Sequence, residues 1–404
     1  MPATPSTSAL MKTSMVLRFG ASILQRISGG FVSQVLLLVG DSASNANLFY
    51  KTKFLAEDTF AFAERDGRTM LVVNDMEKGR AEKESSVDDV RSFAEFGYRD
   101  LVRETNDRNK AFTILLSRVL EALSADGVVV EGQLPVLYAD GLRAEGHALC
   151  IDPYLLVGDR RRKSASEIAA IEQAQAATQK AMARAIELIS SSGEKGGMLH
   201  IDGIPLTSER IQGEIEALLL WEGMDTSQGP IVAGGTGAAD PHWLGSGPLR
   251  AGEAIVIDIF PRSKRTRYFA DMTRTVVKGP APEPLKAMFK ATARALDAAL
   301  AVIGPGVDGS EVHGAVREVF AEAGFEGEGP GARFIHGTGH GIGLEIHESP
   351  SIGTRQVELR PGDVVTVEPG LYDSEVGGIR LEDLVVVTDE GFQDLTDFPR
   401  QLEV

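Results

Sequence analysis

Apolar residues recur along this chain at two different periods, and the changes of period mark its elements. Val35-Leu-Leu-Leu-Val39 and residues 59–63, 69–73 and 127–131 are short apolar runs with the length of buried strands. Residues 110–123 carry apolar side chains at helical spacing instead. This alternation predicts an α/β domain of about 150 residues. The run Gly158-Asp-Arg-Arg-Arg-Lys163 then reads as a solvated basic boundary, dividing the chain into residues 1–160 and 161–404. Ser164 with Glu167 matches a capping box. It opens a helix expected to reach about Ile189, with Ile168, Ile171 and Ala174 on one face.

Beyond that helix the order of elements repeats. A helix near residues 208–222, a strand at 230–233 and a hairpin are followed by helices at 284–302 and 310–323, a strand-like segment at 333–347 and a second hairpin. The two halves share little residue identity, so the repeat rests on element order. A pseudo-two-fold axis relating them would bring the two hairpins together.

Each hairpin carries a pair of acids in an apolar setting. A turn centred between Lys264 and Arg265 sets Asp258 opposite Asp271, and a turn centred on Glu375 sets Glu368 opposite Glu382. Like charges opposed on an antiparallel pair destabilise it. Runs such as AIVID and DVVTVEP are too apolar for a solvated sheet, and a buried acid needs a partner. Two such pairs call for cations. Four carboxylates and an imidazole exceed the needs of one tetrahedral zinc; they suit two divalent ions about 3.5–4 Å apart, which would activate water and polarise a carbonyl. Manganese is expected first, with cobalt, zinc or iron as alternatives.

Between the hairpins runs His336-Gly-Thr-Gly-His340-Gly-Ile-Gly-Leu-Glu-Ile-His347-Glu348. Its glycines argue against a helix and for an extended segment where another backbone or a ligand comes close. Plain alternation sets His340 and His347 on opposite faces; a bulge among the glycines would bring them round. Of seven histidines, His242, His336, His340 and His347 fall in the suspected catalytic region. His147, His200 and His313 are read as structural or exposed.

Composition narrows the alternatives. The chain has 404 residues, 43% of them hydrophobic, with 58 acidic and 41 basic side chains for a net charge of −17. The acidic balance argues against nucleic acid and against anionic membranes. A single cysteine, Cys150, precludes an internal disulfide and fits a reducing compartment. No run approaches the roughly 20 apolar residues of a membrane span. The first ten residues read as frayed, and residues 11–31 lack the continuous apolar core of a signal peptide, which favours the cytoplasm. Neither a G-x-S-x-G elbow nor a Walker A loop is present.

The histidine run resembles the signature of Xaa-Pro peptidases, the proline dipeptidase and aminopeptidase P group. Similar blocks are Ile257-Asp258 with Asp271-Met-Thr-Arg-Thr275, Val367-Glu368-Pro-Gly370, Gly378-Ile-Arg-Leu-Glu382-Asp383, and more weakly Asn45-Ala-Asn-Leu-Phe-Tyr-Lys-Thr-Lys-Phe54 and Arg161-Arg-Lys-Ser with Glu167-Ile168. The resemblance implies an α/β N-terminal domain followed by an α+β "pita-bread" catalytic domain with pseudo-two-fold symmetry, and a metallopeptidase. It implies Asp258 on one metal, His340 and Glu368 on the other, and Asp271 and Glu382 as bridges, with a metal-bridging hydroxide as nucleophile. Glu368 would also shuttle a proton. His242 and His347 would assist catalysis at the substrate, His336 would line the pocket, and Arg380 would orient substrate or ligand. The substrate would be a peptide with proline second, and the protein a homodimer or higher homo-oligomer. The loop at residues 262–267 is longer and more basic than usual for the family. Relatives on this scaffold also include ectoine hydrolases and dimethylsulfoniopropionate lyases, which the ligands do not exclude, and binding modules that have lost ligands.

Overall fold

The computed structural model describes residues 34–226, 228–326 and 331–404. The readings of the first ten residues and of the stretch to Phe31 lie outside them. The chain divides into two compact units, one ending at Gly158 and the other running from Asp159 to Val404.

The first unit is built on a mixed six-stranded sheet. Its strand order is Asp89–Ser92, Arg68–Val73, Phe60–Arg65, Gln34–Gly40, Gly127–Glu131, Leu149–Asp152. The central strand Gln34–Gly40 runs antiparallel to Phe60–Arg65 and parallel to Gly127–Glu131. Its side chains alternate between two cores, which is why the run is apolar throughout. Val35, Leu37 and Val39 pack against Leu115, Leu116 and Val119 of the helix Arg108–Ala122. On the other face Leu38 meets Leu48 and Phe54. Sequence reading did not find the outer strands Asp89–Ser92 and Leu149–Asp152, whose DVRS and LCID are too short and mixed to stand out.

The second unit repeats one theme. The helix Ala165–Ser191 begins at Ser164, whose hydroxyl and Glu167 form the expected reciprocal cap. Its buried face, including Ala177, Ala181, Ala185 and Leu188, packs with the helix Ser208–Trp221 on one side of a three-stranded sheet. That sheet orders Ile231–Gly234, Ala254–Ile259 and Met272–Val277. In the other half the helices Glu283–Val302 and Gly309–Glu322 pack on a five-stranded sheet that includes Gly339–Gly341, Glu348–Ile352, Val364–Val367 and Asp383–Val387. Each large aliphatic side chain buried this way contributes about 1.5–3 kcal/mol.

Strand periodicity divides the labour. Ile255 and Ile257 face one helical layer, and Val365 and Val367 face the other. The alternate residues, Val256 and Asp258 in one sheet and Thr366 and Glu368 in the other, point away from the helices.

The hairpin registers came out differently. In the second, Val367 pairs Asp383 and Gly370 pairs Arg380, so the register sets Glu368 across from Glu382 as expected. In the first, Asp258 pairs Thr273 rather than Asp271. The chain leaves the ladder after Ile259, and Arg262–Ser263 pairs instead with Met224–Asp225. The loop is thereby displaced, and Asp271 lies diagonally across from Asp258. The segment 333–347 is mostly irregular, with strand only at Gly339–Gly341.

Candidate metal centre

Asp258 is the penultimate residue of the Ala254–Ile259 strand, and Asp271 immediately precedes Met272–Val277. Glu368 and Glu382 each sit at the break between two short ladders of the second hairpin, where the backbone leaves the sheet and side chains can converge. Asp258, Asp271 and Glu382 are buried. His340 Nε2 is 3.8 Å from Asp271 Oδ2 and 3.6 Å from Glu368 Oε1. Ligand atoms of Asp271, His340 and Glu382 all lie within 4.8 Å of one another.

Burial and mutual repulsion govern the charges. Burial, then Glu382, Asp258 and Glu368, push the Asp271 carboxyl well above its ordinary range. Burial, then Glu368 and Asp258, do the same to Glu382. Burial also pushes Glu368 up to about 7, against the pull of Arg380. Such a cluster is costly without a cation.

The local cations and donors cover only part of the need. Arg380 Nη2 donates to Asp258 Oδ2 at 2.7 Å, and Thr273 Oγ1 donates to Glu382 Oε2 at 2.8 Å. Asp258 Oδ1 is buried with no hydrogen-bond partner among the described residues. His340 Nδ1 lies 3.1 Å from the Gly341 carbonyl. That oxygen can only accept, so Nδ1 carries the proton and Nε2 offers a lone pair to the cluster. Burial, then His347, lower the His340 pKa to about 4, which keeps the imidazole neutral. An orphaned carboxylate oxygen, clustered acids and a bare imidazole nitrogen fit a pair of divalent ions.

The bulge among the glycines is present. The pairing of Gly339–Gly341 with Glu348–Ile352 shifts register between His340 and Gly341. His340 and His347 consequently meet edge to face with ring centroids 4.3 Å apart. Gly339 permits the close packing behind them, since a Cβ there would lie 1.9 Å from the Thr366 carbonyl oxygen. Thr366 Oγ1 in turn accepts from the His340 backbone N–H at 3.0 Å.

The remaining predicted residues fall around this cluster. His242 and His347 are exposed. Burial, then the neighbouring His242, lower the pKa of His347. His336 Nδ1 donates to the Gly337 carbonyl at 2.7 Å, so Nε2 accepts from Tyr372 Oη at 2.9 Å. Tyr372 Oη accepts from Arg380 Nη1, also at 2.9 Å. Arg380, expected to orient substrate or ligand, is buried and directs its guanidinium to Asp258, Tyr372 and Thr273. A cavity of about 430 Å³ opens beside His336, lined also by His313, Ile335, Ser351 and Arg355.

Sequence reading missed Tyr372 and Thr273. The second-hairpin register sets Tyr372 diagonally across from Arg380, and strand alternation sets Thr273 beside Asp271, so both positions were accessible. His313, read as structural or exposed, is buried, bonded to Thr338 Oγ1 at 2.9 Å and packed on Phe334, which itself contacts His336. The tract at residues 160–163 corrects a further expectation. Lys163 is buried rather than solvated, and Arg160 and Lys163 both pair with Glu348.

Residues 169–389 match the model of metallopeptidase family M24. The chain is 31% identical over 293 residues to the Xaa-Pro dipeptidase of Pyrococcus horikoshii, covering 70% of this chain and 76% of that protein. It is 37% identical over 195 residues to the uncharacterized peptidase YqhT of Bacillus subtilis, spanning 48% of this chain and about half, 53%, of that relative. Among solved structures, the prolidase of Pyrococcus horikoshii superposes with a TM-score of 0.75 at 26% identity, covering 92% of this chain and 95% of the other. The X-Pro aminopeptidase of Thermotoga maritima gives 0.75 at 25%, covering 92% and 98%. The second unit of this chain accordingly has the pita-bread fold, and the chain belongs to metallopeptidase family M24.

Proposed function

We propose that this protein hydrolyses the bond between an N-terminal residue and a following proline, as a dinuclear Xaa-Pro dipeptidase or aminopeptidase. The observation that carries this reading is the convergence of Asp271, Glu368 and Glu382 on His340, with the charge of Asp258 acting on Asp271 and Glu382 from beside them. Asp258 would serve one ion, His340 and Glu368 the other, with Asp271 and Glu382 shared. Manganese is assigned first because four of the five donors are hard carboxylates. When bound, two such ions would polarise the scissile carbonyl and acidify water.

The chain's own groups supply the rest. Burial raises the Glu368 carboxyl to about 7 in the ion-free protein, and this group would shuttle the proton from water to the leaving nitrogen. That suits a substrate whose leaving nitrogen must be protonated before it departs. The lowered pKa of His347 favours its neutral form, which can donate one hydrogen bond and accept another, whereas both nitrogens of His336 are already bonded, to Gly337 and Tyr372. The similarity to the Xaa-Pro dipeptidase and the prolidase of Pyrococcus horikoshii supports proline in the second position.

The test is proline release from an Xaa-Pro dipeptide, beside cleavage of a longer peptide with proline second, using manganese-loaded protein. Turnover of either is expected, and their ratio decides between dipeptidase and aminopeptidase. No turnover of both across several N-terminal residues refutes the reading.

A further inference from the structure

We infer that Arg160 and Lys163 are positioning residues that set the geometry of the His340–His347 pair by clamping Glu348. The inference rests on the proposed metal-dependent reading of that site.

The clamp begins with a loop. Gly341 pairs with Glu348 across the bulge, so these two residues close the turn that carries His347. The Glu348 carboxylate fills the inside of that turn. Its Oε1 accepts the Glu345 backbone N–H at 3.0 Å, and a Cβ on Gly343 would lie 2.6 Å from its Oε2. His340 enters the turn and His347 leaves it, so the span between the two imidazoles is fixed by how this carboxylate is held.

Two cations from the head of the second unit hold it. Arg160 Nη2 contacts Glu348 Oε1 and lies 2.6 Å from Glu345 Oε2, while Lys163 Nζ lies 3.3 Å from Glu348 Oε2. The side chains of Lys163 and Glu348 are only 1% and 5% exposed. A buried pair of this type is a poor source of net stability, and its best-attested use is to specify one arrangement. Neighbouring contacts fix the tract itself. The Lys163 backbone N–H donates to the Gly362 carbonyl at 3.0 Å, and Arg161 grips Asp363 with two bonds of 2.6 Å. Asp363 stands one residue before Val364–Val367, the strand leading to Glu368. The basic tract thus touches both chain segments that present groups to the second ion. Arg162, between the clamping residues, is exposed.

The experiment compares Lys163→Met, Lys163→Arg and Glu348→Gln with Arg162→Met as control, after metal removal. Each protein is titrated with Co²⁺, and the affinity and visible d–d absorption are recorded alongside kcat and KM on an Xaa-Pro substrate. Lys163→Met and Glu348→Gln should lose about 10–100-fold in cobalt affinity or kcat, the range for groups that orient metal ligands, with KM changed less. Their cobalt spectra should shift. Lys163→Arg keeps the cation and should lose less than Lys163→Met, and Arg162→Met should match the parent. Parental cobalt affinity, spectrum and kcat in Glu348→Gln overturn the inference, as they do in Lys163→Met. Should Lys163→Met fail to fold, the isosteric Glu348→Gln decides alone. If the parent cleaves no Xaa-Pro peptide, the peptidase reading fails, while the cobalt titration still judges the clamp.

Discussion

Arg380 and Asp258 form a 2.7 Å ion pair within the carboxylate cluster, and it covers only one of the two Asp258 oxygens. Arg380 lies at the centre of a one-way chain of donors: it donates to Tyr372, which donates to His336. The same guanidinium lowers the pKa values of Asp271, Glu368 and Glu382 against their burial. Without ions bound, it is the counter-charge for the whole cluster.

Arg380→Met should therefore harm the metal-free protein more than the loaded one. Removing one partner of a buried pair costs about 3–5 kcal/mol because the other charge is stranded. Ions would neutralise that stranded charge. The rise in Tm on adding Mn²⁺ should be larger in the variant than in the parent. Equal increments in calorimetry would show that Arg380 does not share the ions' neutralising role.

Metal stoichiometry separates the shared from the single ligands. His340→Ala should lose one of two ions and nearly all activity, since its Nε2 faces Asp271 and Glu368. Asp271→Ala should lose both, because that carboxylate lies between the Asp258 and His340 sides of the cluster. Elemental analysis after dialysis reads the ratio directly. An Asp271 variant that retains two tightly held ions would break the assignment of ligands.

The acid side of the stability curve should carry a signature of His336. Burial chiefly, then the charges of Arg380 and His242, lower its pKa from 6.5 to about 4, against the bond to Gly337. A depressed folded-state pKa contributes stability that is complete above pH 6.5 and is lost as pH falls towards about 4. At 1.36 kcal/mol per unit, the loss over that interval is roughly 3 kcal/mol. His336→Gln keeps hydrogen-bonding capacity but cannot titrate, so its Tm should fall less steeply than the parent's on acidification. Parallel Tm profiles would mean that His336 takes up its proton as readily in the folded protein as in the unfolded chain.

How much of this was legible in the chain depends on the range of the physics involved. Faces of strands were, because a period of two forces Val256 and Asp258 to one side and Ile255 and Ile257 to the other. The Glu368–Glu382 register was too, since a hairpin folded about Glu375 keeps one set of pairs through both ladders. The first hairpin slipped because Arg262–Ser263 found a partner in Met224–Asp225, a contact that local pattern does not encode. The bulge at His340 was allowed by its glycines but not located by them. The basic tract misled most. Four adjacent cations look solvated, yet Lys163 finds its acidic partner Glu348 185 residues away and Arg161 finds Asp363 202 residues away.

Thr273 offers the sharpest test of the cluster's internal wiring. It is fully buried and pairs across the ladder with Asp258. Its Oγ1 donates to Glu382 Oε2 at 2.8 Å and accepts from Arg380 Nε at 3.2 Å, so one hydroxyl orients an acid of one sheet and the cation of another strand. Valine has nearly the same shape, so Thr273→Val removes both bonds without opening a cavity. It leaves a buried acceptor and a buried donor unpaired, a cost of about 1–3 kcal/mol for such groups. With Glu382 free to rotate, metal affinity or kcat should fall about 10–100-fold. Thr273→Ser keeps the hydroxyl and should recover most of that loss, while forfeiting only the packing of one methyl. The comparison removes packing as an explanation, because valine fills the space and serine does not. Should valine retain activity and serine lose it, the methyl matters here and the hydroxyl does not, and the proposed orientation of Glu382 by Thr273 is wrong.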